Sequence, residues 1–83
     1  MSTPFLFGFA QALVDRLLAE ELLLVQEGSR DRVVVYLGNY LGKVARGGSL
    51  LSSVDAAFLA CPEVEEVFVD LEGLKAIVED LGP

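Results

Sequence analysis

The chain has 83 residues, 53% of them apolar, and a formal charge of −7 with no histidine. That length admits a single domain, residues 1–83, and an apolar share above the ordinary range of about 45–50% excludes a disordered chain. The acidic balance argues against nucleic acid as the main partner and against an anionic membrane as a docking surface, because both require a net basic face.

The first element opens at Thr3-Pro4. Thr is a good helix cap, and Pro at the first helical position lacks only an amide hydrogen that would be unpaired there. Apolar residues then recur at Phe5, Phe9, Leu13, Leu17 and Leu24, with Leu6, Val14 and Leu18 widening the stripe. Asp15, Arg16 and Glu20 fall on the other side. The spacing predicts a long amphipathic helix ending near Glu27-Gly28, with a face wide enough for two or more neighbours.

Asp31 to Arg46 reads in two ways. Val33-Val34-Val35-Tyr36 has strand composition and could pair with Leu22–Gln26 as a hairpin. Val33, Leu37, Tyr40, Leu41 and Val44 give helical spacing over a longer window, and Gly47-Gly48 gives a stop. The helix is the reading adopted. Gly38 and Gly42 weaken it by about 1 kcal/mol each relative to Ala, a cost that close approach of another backbone would justify.

A third helix follows Gly47-Gly48-Ser49, with Ser52-x-x-Asp55 as a partial capping box. Leu50, Leu51, Val54, Ala57, Phe58 and Cys61 share its face, and Pro62 ends it. In the last segment Val64, Val67, Leu71, Leu74, Val78 and Leu81 alternate spacings of three and four. Val67-Phe68-Val69 is locally strand-like, and Asp70 can cap a new helix. The expectation is a short helical turn over Pro62–Glu66 and a helix from Leu71 to Leu81. The fold class expected is therefore all-α, a compact bundle of about four helices with turns at Gly28–Arg30, Gly47–Ser49 and Pro62. The alternative is α+β, with a 22–36 hairpin in a winged-helix-like layout.

The absence of histidine removes the commonest general base and metal ligand, along with every Ser-His or Cys-His arrangement. Gly38-Asn39-Tyr40-Leu41-Gly42-Lys43 fails as a phosphate loop: three residues separate the glycines instead of four, and Val44 stands where Ser or Thr should hold magnesium. Glu63, Glu65, Glu66, Asp70 and Glu72 lack the alternation, central Gly and distal Glu of a calcium loop, and a solvated acidic first turn is the plainer account. Cys61 reads as a core residue, because the acids beside it oppose thiolate formation. A lone cysteine allows no internal disulfide and fits a reducing, cytoplasmic setting. Asp15, Arg16, Glu20 and Glu21 interrupt Phe5 to Val25, so no stretch spans a membrane, and the start makes a poor signal peptide. No enzyme, cofactor or metal site is expected.

Charge is polarised along the chain. Residues 1–46 hold five acids and five bases, whereas residues 47–83 hold eight acids and one base, Lys75. This suits a basic protein partner, or contact with the chain's own basic segment. Phe5, Phe7 and Phe9 cannot all face one way on a helix, so they are candidate interface anchors, with Gly38 and Gly42 as a close-approach pair. The expected function is a protein–protein interaction module that self-associates as a homo-oligomer. The alternative is a small nucleic-acid-associated regulator using a basic turn around Arg30 and Arg32.

Overall fold

A computed structural model describes the backbone of residues 3–44 and 49–82 and the side chains of residues 5–44 and 49–82. The elements run α1 (Thr3–Ala19), β1 (Leu23–Val25), α2 (Arg30–Val44), α3 (Leu50–Ala60), β2 (Val64–Val67) and α4 (Leu71–Leu81). Among the described residues the mostly helical bundle expected from the sequence forms, with four helices and a small two-stranded sheet. The alternative hairpin across 22–36 does not form. Its second arm lies inside α2, and β1 pairs antiparallel with β2 instead. The Thr3 side-chain cap, Arg46 and the Gly47-Gly48 stop lie outside the described residues.

The first helix stops well short of Glu27-Gly28. Glu21 adopts φ 59°, the left-handed region. The Leu22 amide donates to the Leu17 carbonyl at 2.8 Å, and the Glu21 amide donates to that of Leu18 at 3.1 Å. These two reversed bonds satisfy the helix's last carbonyls, as in the cap that Gly commonly makes. The chain then emerges extended, and Leu22–Val25, read as more helix, becomes a strand.

The second helix follows a turn at Gly28 (φ 76°), where the Val33 amide donates to the Ser29 carbonyl at 3.0 Å. Val33, Leu37 and Leu41 face inward. A Cβ on Gly38 would lie 2.5 Å from Phe7 Cδ1, so the bare glycine backbone admits the Phe7 ring between α1 and α2. One turn later a Cβ on Gly42 would stand 3.8 Å from Leu6 Cδ1, which is ordinary contact.

The cap of α3 is Ser49, whose hydroxyl accepts from the Ser52 amide at 3.1 Å; the Ser52-x-x-Asp55 box lies inside the helix and does not cap it. Cys61 is extended (ψ 119°), as the residue before Pro62 should be. Asp70 caps α4 by accepting from the Gly73 amide at 2.8 Å, as read from the sequence.

The short helical turn expected over Pro62–Glu66 is replaced by a turn at 62–63 and strand β2. The register explains the misleading spacing. Leu23 pairs with Val67 and Leu24 with Glu66, but Val25 pairs with Val64. Glu65 is the extra residue of a β-bulge. The bulge turns Val64 and Val67, three residues apart, toward the same side, where both pack on the core. A spacing of three, which belongs to a helix, is thus produced by a strand.

All described buried apolar residues belong to one cluster, centred on Leu13, Leu17, Leu37, Leu41 and Leu74. Helix α1 packs chiefly on α2, α3 packs on α2, and α4 closes against α1 and α3.

Two predictions follow from the backbone. Gly38→Ala should lose about 1 kcal/mol, because displacing Phe7 outweighs the gain in helix propensity, whereas Gly42→Ala should gain about 0.5–1 kcal/mol. Urea unfolding reads both, and a gain at both positions would mean that the Phe7 contact contributes nothing. Glu21→Gly should stabilise by about 0.5–1 kcal/mol by relieving a left-handed conformation that costs an L-residue about 1–2 kcal/mol. An unchanged or lower urea midpoint would show that α1 does not end in this cap.

Candidate interaction surface

Strand geometry places a set of apolar side chains in solvent. The Phe68 amide donates to the Leu22 carbonyl at 2.8 Å, which extends the ladder one residue past β2. Side chains alternate along a strand, so Leu23 and Val67 face the core while Leu24, Glu66 and Phe68 share the outer face. Leu24 is 47% exposed and Phe68 56%. They are diagonal neighbours across the strands, at a spacing of about 7–8 Å that an aromatic ring can bridge. At the end of α3, Leu59 is 76% exposed. With Glu65, Glu66 and Val67 it lines a depression of about 310 Å³ between α3 and β2. Leu24 and Phe68 therefore flank Glu66 on the outer face of the sheet, and Leu59 lines the depression that Glu66 also lines.

The charge around this surface is of one sign. Glu65 and Glu66 lie in it, and no basic residue lines the depression. The described cations are engaged elsewhere or lie on other elements. Arg30 forms a two-pronged bond to Asp15, with Nε and Nη2 at 2.8 and 2.7 Å from the carboxylate oxygens, and Nη1 reaches Asp31 at 2.7 Å. Arg16 bonds Glu20 and reaches across to Asp80 on α4 at 3.0 Å. Lys75 lies 4.0 Å from Glu79. Arg32 and Lys43 are on α2 and pair with no acid among the described residues. The hydrogen bonds from Arg30 hold the Asp15 carboxyl below its ordinary pKa, against a smaller upward push from desolvation.

The residues singled out in the sequence divide between inside and outside. Phe9 is in the core, and Phe7 is half-buried against Gly38, so Phe7 and Gly38 meet within the chain. Phe5 is 38% exposed and, with Gly8, Phe9, Ala12 and Leu81, lines a groove of about 300 Å³ between α1 and the end of α4. Gly42 is exposed. The three phenylalanines thus form no single patch. Arg30 is neutralised by its two acids, while Arg32 lies with Val35, Tyr36 and Pro62 in an open groove of about 470 Å³ between α2 and the turn before β2. That groove carries charges of both signs.

Cys61 is buried at the end of α3, not at the start of a helix. Burial raises its thiol pKa above the usual value, and Sγ lies 3.5 Å from Glu63 Oε1. Among the described residues, no three His, Cys, Asp or Glu side chains converge on a point that could hold a metal ion. No described helix is long and apolar enough to cross a membrane.

Leu59 and Phe68 were not singled out as surface residues in the sequence, and Leu24, read as part of the first helix's apolar stripe, lies on the outer face of β1 instead. The one available signal was the strand-like triplet Val67-Phe68-Val69, whose alternation exposes Phe68 once its neighbours turn inward. No protein-family model matches the chain, and no curated protein or solved structure matches it.

The Asp15–Arg30 pair predicts a pH dependence. A carboxyl whose pKa is lower in the folded state stabilises the fold above its unfolded pKa of about 3.9, and that contribution is lost as pH falls through the folded value. Asp15→Asn should therefore melt below the parent chain at pH 7, with the gap closing as pH drops below 3.9. A gap independent of pH would assign the effect to something other than this charge.

Proposed function

We propose that the chain is a non-enzymatic protein–protein interaction module. The observation that carries this reading is the exposure of Leu24, Leu59 and Phe68, of which Leu24 and Phe68 flank Glu66 on the outer face of the sheet while Leu59 lines the depression that Glu66 also lines. Leu23, Val64 and Val67 already supply the sheet's contact with the core, so the fold has no need of the outer trio. Contiguous exposed apolar groups rimmed by polar ones are the usual composition of a docking surface. The polar side chains nearby support binding more than chemistry. Asp70 caps a helix, the Cys61 thiol is buried and held protonated, and no histidine is present.

Self-association is a second reading, favoured by a different observation. The described residues that line the groove, Phe5, Gly8, Phe9, Ala12 and Leu81, include no charged side chain. Two copies of a chain carrying −7 repel one another, and an uncharged surface is where they can approach at least cost. Phe5 keeps an anchoring role in this reading, and Phe7 and Phe9 pass to the interior.

Two measurements test these readings. Phe68→Ser should cost less than about 1 kcal/mol in urea unfolding, the scale of a cross-strand surface pair. A loss above 2 kcal/mol would make Phe68 a fold residue and remove the main support for an interaction surface. Light scattering on a size-exclusion column, over a wide concentration range, should give a dimer or larger species that Phe5→Ser returns to monomer with helicity unchanged. A monomer throughout removes self-association and leaves the Glu66 surface for another protein.

A further inference from the structure

We infer that the surface around Glu66 docks a basic amphipathic helix of another protein, an inference that rests on the interaction reading above and names the occupant of its surface. Layering supplies the first part of the argument. The two-stranded sheet is covered on one face by the core, and its other face exposes Leu24 and Phe68. A sheet with one bare apolar face is completed most simply by a helix laid across it. The apolar stripe of such a helix would rest on Leu24 and Phe68. Glu66 lies between these side chains, so the approaching helix must also bring a cation or leave a buried carboxylate unpaired.

Charge chooses the partner. Glu65 and Glu66 lie in the surface, Glu21 precedes β1, and Asp70 and Glu72 flank Leu71, which is itself exposed at the start of α4. None of these five acids has an ion-pair partner among the described residues. A second copy of this chain would bring its own acids to the same place. Its described cations Arg16, Arg30 and Lys75 are already paired, and Arg32 and Lys43 lie on α2. A helix with Lys or Arg flanking an apolar stripe satisfies both requirements.

The probe is an 18-residue helical peptide of Leu and Lys, with Leu on one face, labelled for fluorescence anisotropy and titrated with the full chain. Saturable binding at one peptide per chain is expected, weakening as salt is raised. Phe68→Ser and Glu66→Lys should each weaken it by about tenfold or more, the loss of one central interface residue. Glu79→Lys, an equal change of charge at the far end of α4, should leave affinity within about twofold, as rim charges do. The same peptide with Glu in place of Lys should not bind. Equal affinity for the parent chain, Phe68→Ser and Glu66→Lys would overturn the proposal, because the peptide would then bind elsewhere on the chain; equal weakening by Glu66→Lys and Glu79→Lys with Phe68→Ser unchanged would overturn it too, because binding would then reflect net charge alone. Should the peptide fail to bind while the chain forms a dimer abolished by Phe68→Ser, the face takes a second copy. The proposal then falls and the interaction reading stands. Absence of both peptide binding and self-association removes both.

Discussion

The antiparallel pairing of Leu23–Val25 with Val64–Val67 joins two stretches of chain about forty residues apart, each of which runs helix, strand, helix. Without it, the backbone groups of β1 would be left to water or to a continuation of α1. The pairing also fixes which side chains meet the core. Leu23, Val25, Val64 and Val67 turn in, and Leu24, Glu66 and Phe68 are left outside. Core and candidate surface are two faces of one register. A slip by one residue would exchange them, and the bulge at Glu65 guards against that slip by allowing one alignment that puts both valines inside.

This dependence explains what could be read from the sequence. Helices α2 and α4 were legible because their apolar positions repeat at helical spacing over whole turns and because Asp70 marks a start by local chemistry. The end of α3 was legible for a similar reason, since Pro62 acts on the residue before it. The end of α1 was not. It is made by Glu21 in a conformation that glycine usually supplies, so no glycine marks it. Strand β2 was hidden by its own bulge, which gives Val64 and Val67 the spacing of a helix. Its partner lies too far along the chain for any local pattern to show.

The phenylalanine cluster shows the same limit for the site. A helix must send Phe5, Phe7 and Phe9 in different directions, and that much was legible. Which of them found a neighbour depended on Gly38, more than thirty residues away, which accepts the Phe7 ring through the absence of a side chain. The pair Gly38-x-x-x-Gly42 was read as a sign of close approach between helices. What meets Gly38 is the side chain of Phe7 from within the chain and not another backbone, while Gly42 faces solvent. Leu24, Leu59 and Phe68 carry no comparable mark, because an exposed leucine and a buried one look alike until the register is known.

The position of Glu66 gives the charge asymmetry of the chain a physical role. An apolar patch on a small domain invites indiscriminate contact, and a carboxylate set among its apolar members makes most contacts unfavourable. Any surface that covers Leu24 and Phe68 without a cation strands Glu66 away from water, a penalty that can exceed the gain from apolar burial. The arrangement rejects apolar surfaces, acidic surfaces and the same face of a second copy, while a partner carrying both a cation and an apolar stripe avoids the penalty. The two proposals, self-association at the Phe5 groove and binding of a basic helix at the sheet, are therefore compatible, because the groove lies between α1 and the end of α4 and Glu66 lies on β2.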